Sequence, residues 1–167
     1  VKTALSDIEV VYKQDNGKFY YFKYWFEDHS SFLEVATTRP ETMFGDQAVV
    51  FNPEDKRYKG LEGKNVINPA NGEFLPLIAD RYVDPTFGTG VMKCTPAHDP
   101  NDFAIAQRHQ LKLVKTMNPD ATMNENCPKE YVGLDRYVCR KMVVKKIQEQ
   151  GDLIKIEDIV HNVLNLD

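Results

Sequence analysis

The sequence predicts an α+β domain in which a β-barrel-like mixed sheet carries a few peripheral helices. Short runs rich in aromatic and β-branched residues recur along the chain, and hairpin turn signals separate several of them. Only a few stretches have the length and spacing of helices. The 167 residues suffice for one domain with a sizeable core, so residues 1–167 are predicted to form a single domain.

In the first half of the chain, turn signals separate the predicted strands. Asp15–Gly17 and Asn71–Gly72 are Asn-Gly turns of the kind that connect antiparallel strands. Asn52 and Pro53 can start a short helix that runs to Tyr58. The predicted strands in this half are residues 7–13, 18–26, 32–36, 48–51, 65–67 and 73–79.

The second half of the chain contains one strand that runs directly into a helix. Residues 91–95 are short, apolar and partly β-branched, which is typical of a strand. Pro100 suits the first position of a helix, with Asp99 as its N-cap, and this helix extends to about His109. A further strand is predicted over residues 111–117, followed by a turn at 118–120.

The longest predicted helix covers residues 135–150, and a final strand covers residues 153–156. Asp135 can cap the helix and Gly151 can end it. The apolar face predicted for it comprises Cys139, Met142, Val143 and Ile147. Its basic residues could contact an RNA backbone, but a solvated helix face is the favoured interpretation, and these residues are Arg136, Arg140, Lys141, Lys145 and Lys146.

Composition excludes several classes of protein. The net charge of −4 argues against a strong, delocalised nucleic-acid binder, whose footprint would be basic. Cys94, Cys127 and Cys139 are odd in number and widely spaced, which fits neither a disulfide framework nor a CxxC-type zinc site. No apolar run approaches the length of a membrane span and no signal peptide opens the chain, so a cytoplasmic protein without membrane contact is expected.

Polar side chains crowd the junction between the strand at 91–95 and the helix that follows. They are Lys93, Thr95, His98, Asp99 and Asp102. In α/β proteins, sites often lie where a strand ends and a helix begins. The alternative is purely structural: Asp99 and Asp102 could form a capping box, with Lys93 solvated and His98 bonded within the loop.

A second polar stretch covers residues 37–46. Thr37 and Thr38 end a strand, and Pro40 forces Arg39 out of the helical region. Threonine hydroxyls both donate and accept hydrogen bonds, and arginine offers a rigid fork of donors, so such a loop can hold water, sugar hydroxyls or a phosphate. Taken alone, the stretch is also compatible with an ordinary turn capped by threonine.

Together the two stretches resemble a known family. Residues 37–46 read TTRPETMFGD and residues 88–103 read GTGVMKCTPAHDPNDF. This pair resembles the editing domain of class I aminoacyl-tRNA synthetases, the insertion found in the leucyl, isoleucyl and valyl enzymes, and in detail it is similar to the valyl form. Residues 3–10, 52–58 and 123–126 agree with the same family, so the resemblance extends over nearly the whole chain.

The resemblance implies a function for the domain. It would hydrolyse the ester bond of mischarged threonyl-tRNA(Val), because a synthetic site for valine rejects the near-isosteric threonine only about a hundredfold, a value already known for this family. The expected partners are the tRNA acceptor end and the remainder of a longer synthetase. The domain is expected to be a monomeric piece of that enzyme and to need no cofactor, since ATP serves only the synthetic domain.

The resemblance also implies roles for individual residues. Asp102 would hold the α-ammonium group of the substrate. The threonine-rich loop would position the attacking water and the terminal ribose or phosphate, and its residues are Thr37, Thr38, Arg39 and Thr42. Lys93, Thr95 and Asp99 are the polar groups expected to detect the threonine hydroxyl, with Asp99 also counted among the catalytic residues.

Three further points concern the chemistry of the predicted site. His98 is a candidate substrate-binding residue and a less favoured general base. Cys94 lies in the strand and points away from Lys93 and Thr95, so it is interpreted as a core residue. A metal site is not expected, because Lys93 would repel the ion and the resembling family is metal-independent.

Two alternatives of function stay open at this point. The chain could be a non-catalytic insert that docks the acceptor end, or it could edit a different mischarged residue, as leucyl- and isoleucyl-type relatives do. The concentration of charged groups in the two stretches favours a hydrolase, since a degenerate insert does not need them.

Overall fold

The computed structural model of the chain describes residues 17–159. The strand predicted at residues 7–13 and most of the turn that follows it lie outside this range. The strands are β1 (Lys18–Trp25), β2 (Phe32–Thr37), β3 (Ala48–Phe51), β4 (Asn65–Ile67), β5 (Phe74–Ala79), β6 (Val91–Cys94) and β7 (Leu153–Asp158). The α-helices are α1 (Pro100–His109) and α2 (Arg136–Glu149), and 3-10 turns cover Pro40–Gly45, Lys56–Tyr58 and Lys129–Tyr131.

The strands form two sheets. One is antiparallel with the order β2-β1-β7, and the other has the order β4-β5-β3-β6. The second sheet is mixed, because β3 runs parallel to β5 and antiparallel to β6. An isolated bridge between Phe26 and Val66 links the two sheets. The predicted α+β class with a mixed sheet is therefore confirmed, although within residues 17–159 the two sheets do not close into a barrel.

The main core lies between the antiparallel sheet and helix α2. Phe22 and Val35 are fully buried on β1 and β2, and Cys139 and Ile147 are fully buried on α2. All four residues belong to one hydrophobic cluster, which also includes Met43 of the first 3-10 turn. Helix α2 is thus packed against the turn that carries the threonine-rich sequence.

A smaller core lies beneath helix α1. It joins Ala48 and Val50 of β3 to Cys94 of β6 and Ile105 of α1, all of them fully buried. Since β3 contributes to both cores, all four of its residues are buried, as expected for a strand that is covered on both faces. This strand places β6 and α1 beside the first 3-10 turn.

Most predicted elements within the described range are confirmed, and three details are wrong. Residues 111–117 do not form a strand and contribute only an isolated bridge between Met117 and Met123. The helix predicted over residues 52–58 is only the 3-10 turn Lys56–Tyr58, capped by Asp55. Met142 is 39% exposed, since it lies beside the buried stripe of α2 and not within it.

Within residues 17–159, no helix is both long enough and apolar enough to cross a lipid bilayer.

Candidate functional site

The two polar stretches singled out in the sequence lie against each other. The Lys93 Nζ is 3.1 Å from the Thr42 Oγ1, and an Arg39 Nη1 donates to the His98 carbonyl oxygen over 3.3 Å. This proximity follows from the sheet, because β3 leaves the first 3-10 turn and pairs antiparallel with β6, with Val49 opposite Lys93. The end of β2, the 3-10 turn, the end of β6 and the start of α1 therefore form one polar region.

Lys93 stands at the centre of a buried hydrogen-bond network. Its ammonium group donates to the Asp46 Oδ1 at 2.8 Å, to the Thr95 Oγ1 at 2.6 Å and to the Thr42 Oγ1. An ammonium group has three protons, so these three partners use all of its donors. The Lys93 side chain is only 9% exposed and that of Asp46 is fully buried.

Asp46 is a member of this network that sequence reasoning missed. Besides Lys93 it accepts hydrogen bonds from the Thr95 hydroxyl at 2.7 Å and the Tyr24 hydroxyl at 3.2 Å. Burial raises the pKa of Asp46, although Lys93 and the two hydroxyls act in the opposite direction. Its position at the end of the TTRPETMFGD stretch was visible, but only the pairing of β3 with β6 brings it to Lys93.

The threonine-rich turn, which comprises residues 37–42 and overlaps the start of the first 3-10 turn, is held by hydrogen bonds of its own hydroxyl groups. The Thr37 Oγ1 accepts a hydrogen bond from the Arg39 backbone N–H, and the Thr42 Oγ1 donates to the Arg39 carbonyl oxygen at 2.8 Å. Thr38 is half-buried between them. These local bonds hold the backbone around Arg39 and direct its guanidinium group across the site to the His98 carbonyl oxygen.

Asp102 lies in the first turn of α1, and one of its two carboxyl oxygen atoms is buried without a hydrogen-bond donor from residues 17–159. The Asp99 side chain caps the helix by accepting from the Asn101 and Asp102 backbone N–H groups. The Asp102 Oδ2 accepts from the Thr95 N–H at 2.9 Å, so the capping-box interpretation, in which it would bond the Asp99 N–H, is wrong. Its Oδ1 is buried and has no hydrogen-bond partner among the described residues.

The environment of Asp102 strongly disfavours its charged form. Burial, followed by the negative charge of Asp99, raises the pKa of Asp102 to about 7. The hydrogen bond from Thr95 and the charge of Lys93 oppose this rise. A cation placed at the Oδ1 atom would satisfy the unpaired oxygen and return the carboxyl group to its ionised form.

His98 is neutral and its acceptor nitrogen is occupied. The Nε2 atom lies 2.9 Å from the Thr116 backbone nitrogen, which can only donate, so the hydrogen-bond network assigns the ring proton to Nδ1. Burial, together with the positive charges of Arg39 and Lys93, lowers the pKa of His98 to about 4. In this arrangement the Nε2 lone pair is not free to accept a proton from water.

A buried ion cluster behind the site was not predicted. The Glu41 side chain is fully buried and accepts hydrogen bonds from both Arg136 and Arg140 of α2. The prediction that these two arginines belong to a solvated face is therefore wrong, whereas Lys141, Lys145 and Lys146 are exposed. Sequence reasoning had no local signal for this cluster, because Glu41 is 95 residues from Arg136 and 99 residues from Arg140.

Two further possibilities concern a reactive cysteine and a metal site. Cys94 is fully buried and faces away from Lys93, as predicted from strand alternation, and burial raises the pKa of its thiol far above the ordinary value. Among residues 17–159, no group of three or more His, Cys, Asp or Glu side chains is arranged to hold a metal ion.

Comparisons with known proteins identify relatives of the chain. A family model described as "Leucyl-tRNA synthetase, editing domain" matches residues 53–141. The valine–tRNA ligase of Lactobacillus acidophilus is 57% identical over 163 residues, which is 98% of this chain and 18% of the relative. The valine–tRNA ligase of Geobacillus stearothermophilus is 59% identical over 162 residues, 97% of this chain and 18% of the relative. The chain thus spans less than a fifth of the curated relatives it matches.

A solved structure shares the fold. It is the ternary complex of Agrobacterium radiobacter K84 agnB2 LeuRS–tRNA–LeuAMS, with a TM-score of 0.64 and 20% sequence identity. The similarity covers 92% of this chain and 23% of that one. The two sheets and the helices around them are therefore an architecture that also occurs within a leucyl-tRNA synthetase.

Proposed function

The chain belongs to the editing domains of class I aminoacyl-tRNA synthetases, in the valyl-tRNA synthetase group, and from this premise we propose that it hydrolyses mischarged threonyl-tRNA(Val). Water attacks the carbonyl carbon of the aminoacyl ester, the bond to the ribose oxygen breaks, and that oxygen takes up a proton as free threonine leaves. The domain acts as part of a valine–tRNA ligase, in which other regions bind most of the tRNA and use ATP.

The observation that carries this proposal is the unpaired, buried Oδ1 atom of Asp102. Leaving such a group unsatisfied costs about 1–3 kcal/mol, so folded proteins rarely retain one without a partner, which is another protein group, a solvent molecule, an ion or a ligand. Every aminoacyl ester presents an α-ammonium group, which donates charge-assisted hydrogen bonds to carboxylates. Asp102 would hold this group at the start of α1 and so fix the ester carbonyl beside the threonine-rich turn.

The threonine-rich turn supplies the polar surroundings in which the ester reacts. Arg39, supported by Thr37 and Thr42, faces the His98 carbonyl oxygen across the site and can donate to the ribose or to the developing oxyanion. Thr38, half-buried beside it, can orient the attacking water. Because an aminoacyl ester is already activated, holding water against its carbonyl provides much of the acceleration without a nucleophilic side chain.

His98 takes part in this scheme through its backbone and not as a base. Its carbonyl oxygen anchors Arg39 and its Nε2 atom accepts from Thr116. Asp99 supports Asp102 by capping α1 and by adding the negative charge that attracts an ammonium group. The proton released by water passes to the leaving ribose oxygen through solvent or a neighbouring tRNA hydroxyl.

Selectivity for threonine would arise at Lys93. All three of its donors are used within the protein, so a substrate side chain that approaches must replace one of the hydroxyl acceptors, Thr42 or Thr95. The threonine hydroxyl can do so, whereas the corresponding valine methyl would leave a donor unpaired at a cost of about 1–3 kcal/mol. This cost corresponds to about five- to 150-fold discrimination, enough to spare the correct product.

The test uses the full-length synthetase that carries this chain, with threonyl-tRNA(Val) and valyl-tRNA(Val) as substrates. The wild-type enzyme is expected to release threonine much faster than valine, and Asp102→Ala is expected to slow threonine release about 100-fold or more, because both binding and orientation of the ammonium group are lost. Asp84→Ala, which changes an exposed loop carboxylate, is the matched control and should leave both rates unchanged.

Three results would count against the proposal. Threonine release that is unaffected by Asp102→Ala would remove the ammonium-binding role. No release of threonine by the wild-type enzyme, under conditions in which it charges tRNA with valine, would favour the docking insert. Rapid release of a different amino acid would instead indicate the specificity of a leucyl- or isoleucyl-type editing domain.

A further inference from the structure

Glu41 connects helix α2 to the threonine-rich turn. It lies between Pro40 and Thr42 in the 3-10 turn, and its side chain has no exposed surface. Arg136 donates to its Oε2 atom from Nε at 3.1 Å and from Nη2 at 2.8 Å. Arg140 donates to Oε1 at 2.7 Å and to Oε2 at 2.8 Å. Four charge-assisted hydrogen bonds thus converge on one carboxylate.

The two arginines are themselves held in place on α2. They are four residues apart, so they project from the same face of the helix. The ring of Tyr137 lies 5.2 Å from the guanidinium carbon of Arg136 and 5.1 Å from that of Arg140, within cation–π range of both. Asp135 caps the helix at this end by accepting from the Tyr137 and Val138 N–H groups. The helix end that reaches Glu41 is therefore held by its cap and by these two ring contacts.

Glu41 remains ionised inside the protein because of these contacts. Burial by itself would raise the pKa of Glu41, but the hydrogen bonds and positive charges of Arg140 and Arg136 hold it below the ordinary value. A buried carboxylate that needs two arginines to stay charged is a costly way to join two elements, since apolar packing of the same volume would join them at least as stably. What a bidentate ion pair adds is a fixed distance and angle.

We propose that Arg136, Arg140 and Glu41 are positioning residues that set the register of the threonine-rich turn against the Lys93–Asp102 segment. The residue after Glu41 is Thr42, whose hydroxyl accepts from Lys93 and donates to the Arg39 carbonyl oxygen. A displacement of Glu41 therefore moves Arg39 and Thr42 relative to Asp102. This inference rests on the proposed function, because the positioned groups are those assigned to ester hydrolysis.

The test compares Glu41→Gln with Asp80→Asn in the full-length synthetase. Glutamine keeps the shape of Glu41 but loses the charge that fixes both arginines. Asp80 is a matched control: it is also buried and held by two basic side chains, Arg108 and His109, but these join the end of β5 to the end of α1 away from the turn. Glu41→Gln should lower the kcat for threonyl-tRNA hydrolysis about tenfold or more with KM changed less than about twofold, since misplacement by about 1 Å can cost a hundredfold in rate. Asp80→Asn should leave kcat unchanged within about twofold.

A second variant separates positioning from simple bracing. In the triple variant Glu41→Met, Arg136→Met and Arg140→Met, apolar side chains replace the whole ion cluster, and thermal stability should return to near the wild-type value. The kcat should stay low, because apolar contacts do not fix the angle of the turn. Full recovery of kcat together with stability would overturn the positioning role and leave a structural brace.

A readout independent of catalysis keeps this inference distinct from the proposed function. In the 167-residue chain, Glu41→Gln is expected to shift the backbone amide NMR signals of Thr38, Arg39 and Thr42, whereas Asp80→Asn should not. If these signals move while the wild-type enzyme hydrolyses no mischarged tRNA, the proposed function fails and the positioning geometry stands. If the shifts are confined to α2, the positioning role is wrong whatever the enzyme hydrolyses.

Discussion

At neutral pH the folded chain must accommodate Asp102, a carboxyl group with one oxygen buried and unpartnered among the described residues. Its pKa is raised from 3.8 to about 7 by burial and by the charge of Asp99. The folded state therefore holds this proton more tightly than the unfolded state. Between pH 4 and pH 7 the unfolded chain binds fewer protons than the folded one, so this group makes stability fall as pH rises.

Asp102→Asn should therefore stabilise the fold above pH 7. The amide carries no charge to bury, so its free energy of unfolding at pH 8 is expected to exceed that of the wild type by about 2–4 kcal/mol, with the difference shrinking towards zero as pH falls to 4. Urea denaturation of both proteins at several pH values measures this. A variant that is less stable than the wild type at pH 8 would show that burial does not disfavour the charged form of Asp102.

The sequence could predict which residues belong to the candidate site better than it could predict how their side chains are hydrogen-bonded. The resemblance to editing domains selected Lys93, Thr95 and Asp102, and the fold brings all three to one region. It could not reveal that the donors of Lys93 are saturated, because that depends on Asp46 reaching it across the β3–β6 pair. It also could not predict the tautomer of His98, which is set by a contact with Thr116 that is 18 residues away.

At the scale of elements, the two ends of helix α1 differ in how well their residues suit the helix. Its N-terminus is fixed by Asp99 and positions Asp102, and its C-terminus ends at Gln110, which adopts the left-handed conformation with φ 58° and ψ 42°. Residues other than glycine pay about 1–2 kcal/mol for this conformation. The helix therefore has a capped N-terminus and a strained backbone at its C-terminus.

Gln110→Gly is expected to stabilise the domain by about 0.5–1 kcal/mol, since glycine adopts the left-handed conformation freely but also gives the unfolded chain more freedom. The exposed Gln107, inside the same helix, provides the control: Gln107→Gly should destabilise by about 1 kcal/mol. Thermal unfolding of the two variants beside the wild type checks both signs. A loss of stability in both variants would contradict the role assigned to the end of α1.

Residues 111–117 show why one predicted strand failed. Their apolar pattern is compatible with a strand, but several of their backbone groups bond to side chains, and the bridge between Met117 and Met123 does not extend into a ladder with a neighbouring strand. The Thr116 N–H donates to the His98 ring, and the Lys115 carbonyl oxygen accepts from the side chains of Asn124 and Asn126. The local alternation of apolar residues cannot reveal that side chains replace a neighbouring strand as hydrogen-bond partners, because these side chains come from other loops.

At the scale of the whole molecule, elements from both sheets and both cores border a single polar region. The fold class and most strand positions could be predicted from turn signals and β-rich runs, because those signals are local. The split into two sheets and the contact between Glu41 and α2 could not, since both depend on pairings between distant residues. The net charge of −4 argues against a broad tRNA-binding surface on this domain, in keeping with the proposed function, in which other regions of the synthetase bind most of the tRNA.

The central claim, that Asp102 grips the substrate's ammonium group, can be tested by removing that group from the substrate. Threonyl-tRNA(Val) is compared with the same tRNA esterified by 2,3-dihydroxybutanoic acid, in which a hydroxyl replaces the ammonium group, using the full-length enzyme and its Asp102→Asn variant. The wild type should hydrolyse the threonyl ester at least about tenfold faster than the analogue, after correction for uncatalysed hydrolysis, and the variant should hydrolyse both at similar rates. An equal preference for the threonyl ester in both enzymes would contradict the account.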